Sequence, residues 1–243
     1  MRYFVVLSVL ILSACAPGKG PDYDCWNAFT KRDFTPAAAF CLDAAKQGFV
    51  AAQNNLGVMY SLGQGVARDD AEAVKWFRKA AEQGNADAQN NLGLMFSLGR
   101  GAKKYDAEAV KWYRMAAEQG HVAAQFSLGI KFRDGNGVKQ NDAEAVAWFR
   151  RAAAQGYVPA QRNLGLMYSL GRGVAPGQMY RDARGVERDY VTAHMLFDIA
   201  AAQGDKKGAK YRDFVAERMR SADILRAQQL ARECVEKNYK GCF

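Results

Sequence analysis

Histidine is nearly absent from this 243-residue chain, with only His121 and His194. The two fall on different helical segments, so no histidine pair is available for catalysis or for a metal. No H-E-x-x-H, G-x-S-x-G, S-x-x-K or Walker-type loop occurs. Proline is scarce at five residues, and no alternation of period two competes with helical spacing, so strands are not expected. The longest apolar run, Tyr3 to Leu12, has ten residues, about half of what a spanning helix needs. The formal charge of +9 is spread out. No block of five like charges occurs, which leaves no basic stripe for nucleic acid. Mild attraction to anionic polymers is what the positive balance supports.

What the chain has is repetition, with a period of 36 residues. Ala52-Gln53-Asn54-Asn55-Leu56-Gly57 returns as Ala88 to Gly93, Ala124 to Gly129 and Ala160 to Gly165. Asp70-Ala71-Glu72-Ala73-Val74-Lys75-Trp76-Phe77 returns as Asp106 to Tyr113 and Asp142 to Phe149. A fixed period of this length marks a solenoid, in which each unit buries its apolar face on its neighbours.

Each unit reads as two helices. The spacing predicts helix A over Val50 to Leu62, with Ala52, Leu56 and Tyr60 on one face. Gly57 sits inside that helix, where glycine costs about 1 kcal/mol. Its return at Gly93, Gly129 and Gly165 points to close approach of helix B. Gly63-Gln64-Gly65 and its copies end helix A. Helix B opens at Asp69 with Glu72 three residues on, a capping-box spacing that Asn141 and Glu144 repeat. In the second unit Tyr105 holds the cap slot, and in the last Asp189 does. Ala73, Trp76, Phe77, Ala80 and Ala81 make the buried stripe. Gly84, Gly120, Gly156 and Gly204 end the B helices.

Before the repeats, Met1-Arg2, the apolar run and Leu12-Ser13-Ala14-Cys15 form a secretory leader. Its last four residues resemble the bacterial lipobox. The resemblance implies that residues 1–14 are removed, that Cys15 carries lipid, and that residues 15–21 are a tether. In Gram-negative lipoproteins an aspartate after that cysteine favours the inner membrane. Ala16 stands there instead, which implies the outer membrane, facing the periplasm.

Export makes the four remaining cysteines disulfide candidates. Cys25, Cys41, Cys234 and Cys242 allow three connectivities, of which locality favours Cys25–Cys41 and Cys234–Cys242. The alternative is free buried thiols. Zinc does not fit spacings of sixteen and eight without a nearby histidine. These pairs lie in residues 22–48 and 205–243, which read as capping helices around the repeats 49–84, 85–120, 121–156 and 157–204. Val215, Met219, Ile224, Leu225 and Leu230 supply apolar positions in the last segment, broken near Arg220-Ser221.

The pattern A-x-x-x-L-G-x-x-[YF]-x-x-G-x-G, then D-x-x-[EA]-A-x-x-W-[FY]-x-x-A-A-x-x-G, resembles Sel-one-like repeats, a branch of the tetratricopeptide-type superfamily. The resemblance covers residues 49–204 and departs from the pattern at Leu196, where tryptophan is usual, and in a fourth unit of 48 residues. It implies an all-α, right-handed α-solenoid that works as a scaffold or adaptor, without cofactor or metal. The implied partner is another protein of the cell envelope, with the membrane reached through the lipid and no role for nucleic acid. Alternatives are a component of an envelope secretion or polysaccharide-export complex, or a β-lactam-binding or β-lactamase-like enzyme. The cysteine-rich relatives linked to β-lactams carry a cysteine pair in each repeat, and this chain has none there.

By analogy with tetratricopeptide units, the concave side is lined by Asn54, Val58 and Ser61 and their equivalents. Val58, Leu94, Ile130 and Leu166 form an apolar row, with Asn54, Asn90, Phe126, Arg133 and Arg162 beside it. The row is either a binding groove or packing between adjacent A helices. A second binding candidate is the 12-residue insertion of the fourth unit, with Met179, Tyr180, Arg181 and Arg184. It also reads as a tolerated loop extension.

Overall fold

The computed structural model describes residues 20–32, 34–173, 180–181 and 187–242. Cys15, the leader, most of the tether and Met179 lie outside them. The fold is all-α, a tandem array of helical hairpins of the α-solenoid class. One exception lies in the insertion, where Tyr180 pairs with Arg188 and Arg181 with Glu187 in a two-residue antiparallel ladder. The chain divides into two compact units, residues 1–88 with 100–102, and residues 89–99 with 103–243.

The first unit holds α1 (Pro21–Thr30), α2 (Phe34–Lys46), α3 (Val50–Leu62) and α4 (Asp70–Glu82). Helix α3 has the bounds that its spacing predicts, and Gly63 closes it in the left-handed region at φ 69°. The Asp69 carboxylate caps α4 by accepting from the Ala71 and Glu72 amides at 2.9 and 3.0 Å. The reciprocal half of the capping box is not formed. The Asp69 amide donates instead to the Tyr60 carbonyl of α3, and Glu72 turns outward to Lys75. Closing the helix-A-to-helix-B turn takes precedence over the box, and Asn141 and Asp189 repeat the arrangement with Phe132 and Tyr168.

Inside the hairpin the glycine slot receives a ring. A Cβ on Gly57 would stand 2.6 Å from Phe77. Cys41 lies 36 residues before Phe77, and its partner on the facing helix is Cys25, to which it is disulfide-bonded. A covalent link thus replaces the glycine–ring contact in the leading hairpin. Phe40, in the tryptophan slot of α2, is 44% exposed, whereas Trp76, Trp112 and Trp148 are buried.

The second unit holds the larger part of α5 (Ala86–Leu98), then α6 (Asp106–Glu118), α7 (Val122–Asp134), α8 (Asp142–Ala153), α9 (Val158–Ser169), α10 (Tyr190–Ala202), α11 (Lys206–Ala216) and α12 (Ser221–Glu236). Tyr113, Phe149 and Phe197 meet Gly93, Gly129 and Gly165 as Phe77 meets Gly57. Buried glutamines of the A helices join neighbouring carbonyls and helix ends. Gln125 donates to the Ala117 carbonyl at 3.2 Å and accepts from Gln155 at 2.9 Å. Gln161 accepts from Gln203 at 2.9 Å.

The C-terminal helices do not form an ordinary hairpin. Helix α11 packs on α10 as a further helix A would, and α12 returns to α10 as well. Met195 and Ile199 are buried beneath this cover, in slots where the earlier units have Lys75 and Lys79, or Lys111 and Met115. Cys234 is bonded to Cys242 just beyond α12, and Tyr239 of that loop rests against Gly156. Leu225, expected among the apolar core positions, is instead 65% exposed, because α12 turns Ala227, Ala231 and Cys234 inward.

Candidate protein-binding face

Consecutive hairpins are joined by contacts that the repeat sequence encodes. The second glycine of each Gly-x-Gly lies on the first turn of the preceding helix B. A Cβ on Gly65 would come 1.9 Å from the Phe34 carbonyl oxygen, and one on Gly101 the same distance from that of Asp70. Gly137 and Gly173 sit likewise on Asp106 and Asp142. The sequence reading assigned these glycines to helix termination alone.

The residue between the two glycines adds charge. Arg100 holds Asp70 and the Ser61 carbonyl, and Arg172 holds Asp142 at 2.7 Å. Hydrogen bonds from Arg100 and Arg68 hold the Asp70 carboxyl down to about 2. In the third repeat this slot is Asn136, and a different residue supplies the cation. Lys131, buried where the other A helices carry Met59, Met95 and Met167, reaches Asp106 and the Ser97 hydroxyl. Burial works to raise the Asp106 carboxyl, but Lys131 and Lys104 outweigh it and lower it. Where the acceptor is Phe34, the turn carries the neutral Gln64.

These joints position the helix-A faces. In the second unit Leu94 of α5, Ile130 of α7 and Leu166 of α9 are half-buried and occupy equivalent slots. Asn90 is half-buried beside Leu94. Phe126 packs its ring against Phe149 and Tyr157, with centroids 5.7 and 5.4 Å apart. Arg133 binds Asp134 and the Asn163 side-chain carbonyl, both at 2.7 Å. Arg162 binds Asp205, the residue that caps α11. Both arginines therefore brace the scaffold beside the row.

In the first unit the same slots are core. Val58 is 2% exposed and Asn54 4%, since α1 packs against α3. Asn55 approaches the Cys25 sulfur at 3.9 Å. Tyr180 and Arg181 lie on the short ladder of the insertion, away from the A-helix register. Phe214 was missed as a row residue. It stands 48 residues after Leu166, a repeat plus the insertion, and is 53% exposed on α11. Counting the insertion into the period would have found it.

Among the described residues no group of three metal-ligating side chains converges, and no helix is long and apolar enough to cross a membrane. His121 caps α7 through its Nδ1, accepting from the Ala124 amide at 3.2 Å. His194 is buried on α10 in the slot of Val74, Val110 and Val146.

The profile of the Sel1 repeat matches residues 50–85, 86–121, 122–157, 158–176 and 175–205, the fourth repeat in two pieces that meet at the insertion. The chain belongs to the Sel1 repeat family. Among solved structures it is similar to a protective antigen of uropathogenic Escherichia coli strains displaying an SLR fold, at 31% identity and a TM-score of 0.74 over 91% of this chain. The chain spans about half of that antigen, 47% of its length. It is also similar to a Sel1 repeat protein from Oxalobacter formigenes, at 34% identity and a TM-score of 0.67, covering 77% of this chain and 72% of that one. The comparison with curated proteins finds no match. Sel1-repeat proteins generally mediate protein–protein interaction.

Proposed function

We propose that this Sel1-repeat protein is a non-enzymatic adaptor, lipid-anchored at Cys15 to the outer membrane and facing the periplasm, that captures another protein on its helix-A face. The row of Leu94, Ile130 and Leu166 carries this reading. These side chains are half-buried on a rigid, jointed scaffold whose flanking arginines are already held. Fully burying a leucine-sized side chain contributes about 1.5–3 kcal/mol, so a few anchors suffice for micromolar binding. An envelope address is supported by the lipobox-like Leu12-Ser13-Ala14-Cys15, and it accords with the protective-antigen relative.

Two substitutions in one repeat slot test the face. Leu94→Glu places a carboxylate at a half-exposed site, so crosslinked partner capture from envelopes should fall about tenfold with little change in melting temperature. Val58→Glu buries the same carboxylate under α1, so it should lower the melting temperature by roughly 10 °C or more. Equal destabilisation by both, with no separate loss of capture, would assign the row to the core. For the anchor, Cys15→Ser should abolish palmitate labelling and release the protein from membranes. A Cys15→Ser protein that still fractionates wholly with outer membranes in high salt refutes lipidation.

A further inference from the structure

The apolar row does not stop at the last repeat, and its far end differs in charge from its beginning. Helix α11 touches both α10 and α9, and Arg162 ties α9 to the α11 cap at Asp205. In this register Phe214 continues Leu166, Lys210 continues Arg162 and Lys207 continues Pro159. Lys207 and Lys210 precede Phe214 by seven and four residues, which puts all three on one helix face. Arg218 lies over the Phe214 ring, 3.7 Å from its centroid.

The acids around this end are engaged. Asp205 holds Arg162, Asp213 is bound by Arg212 at 2.8 Å, and Glu217 lies 3.4 Å from Arg218. Lys207 and Lys210 are exposed and, among the described residues, form no ion pair. At the opposite end of the same edge, α5 carries the neutral Asn90 in the slot of Lys210. The edge thus runs from neutral at α5 to cationic at α11. A half-exposed aromatic ring framed by cations is complementary to apolar side chains flanked by carboxylates.

We infer that the α9–α11 end of the row receives an acidic amphipathic peptide segment of the partner, its apolar side chains on Leu166 and Phe214 and its carboxylates on Lys207 and Lys210. This assignment rests on the adaptor reading of the row and adds the chemistry and direction of the bound segment. Association through two exposed lysines weakens as salt rises.

The test is selection of a random twelve-residue peptide library, displayed on phage, on the full chain in detergent. Wild type should enrich Asp and Glu next to Leu, Ile or Phe. One synthesised binder should lose at least fivefold in affinity between 50 and 300 mM salt. The doubly substituted Lys207→Glu/Lys210→Glu chain should enrich Lys and Arg instead, an inversion that misfolding does not produce. Phe214→Ser should weaken the wild-type binder about tenfold. Selection without acidic enrichment, or the same peptides from the charge-reversed chain, overturns the inference. If Leu94→Glu then abolishes selection, the adaptor reading still stands. A wild-type chain that selects no peptide at all overturns both.

Discussion

Gly84 and Gly101 separate two reasons for keeping a glycine. Both have positive φ, 89° and 67°. An added Cβ meets nothing within 4 Å at Gly84, but at Gly101 it meets the Asp70 carbonyl oxygen at 1.9 Å. Gly84→Ala should therefore cost only the left-handed backbone penalty, about 1–2 kcal/mol. Gly101→Ala adds a backbone collision and should cost at least about 3 kcal/mol, as read by urea unfolding followed by circular dichroism. His194 gives a residue-scale prediction in pH. Burial lowers its proton affinity, Asp198 opposes this, Arg212 reinforces it and Asp213 opposes it, and the net shift is downward. The unfolded chain then binds the proton more readily than the folded one, so stability is full above about pH 6.5 and falls as pH drops through that value. His194→Val installs the residue of the other repeats. Its melting temperature should fall less than that of wild type between pH 7.5 and 4.5, and parallel curves for the two proteins would refute a buried neutral imidazole.

Between elements, the joints are where charge matters. Lys131→Met gives α7 the residue that α3, α5 and α9 carry, yet it should destabilise the chain by about 1–3 kcal/mol, because Asp106 keeps only Lys104, at 3.6 Å and largely solvated. Adding Asn136→Arg recreates the arrangement of Arg100 and Arg172 and should restore most of the melting temperature. Failure of the second change to rescue the first would mean that Lys131 acts otherwise than through Asp106. The helices themselves were legible in sequence, since period, caps and terminal glycines agree, and α3 has its expected bounds. The joints were not. The second glycine of each turn looks like punctuation until its neighbour in space is known, and Lys131 looks like a surface lysine. The burial of Val58 was hidden because the leading hairpin is shortened: α2 keeps the 36-residue register, but α1 does not, so nothing in the repeat reveals it beside α3. The return of α12 did leave a signal, in Met195 and Ile199 where the first repeat has Lys75 and Lys79.

For the molecule, both cysteine-bearing ends are variant hairpins and not copies of the repeat. One replaces the glycine–ring contact with Cys25–Cys41. The other places Asp213 in the glycine slot of α11, exposed and bound by Arg212. No ring can be received there, so the stacking rule ends at α11. The candidate face was legible as a list of slots, but which slots are open depends on what covers them. That is set by α1 at Val58 and by the unaccompanied α11 at Phe214.

The joints also bear on inheritance. Each repeat after the first carries its own cation, Arg100, Lys131 or Arg172, and meets an aspartate at one fixed place in the repeat before it. Because Lys131 and Asn136 belong to the same 36 residues, the swap travels as a cassette. Unequal crossing-over that adds or removes one whole cassette leaves every aspartate matched. Such chains can change length, and with it the span of the partner they read, in single recombination events.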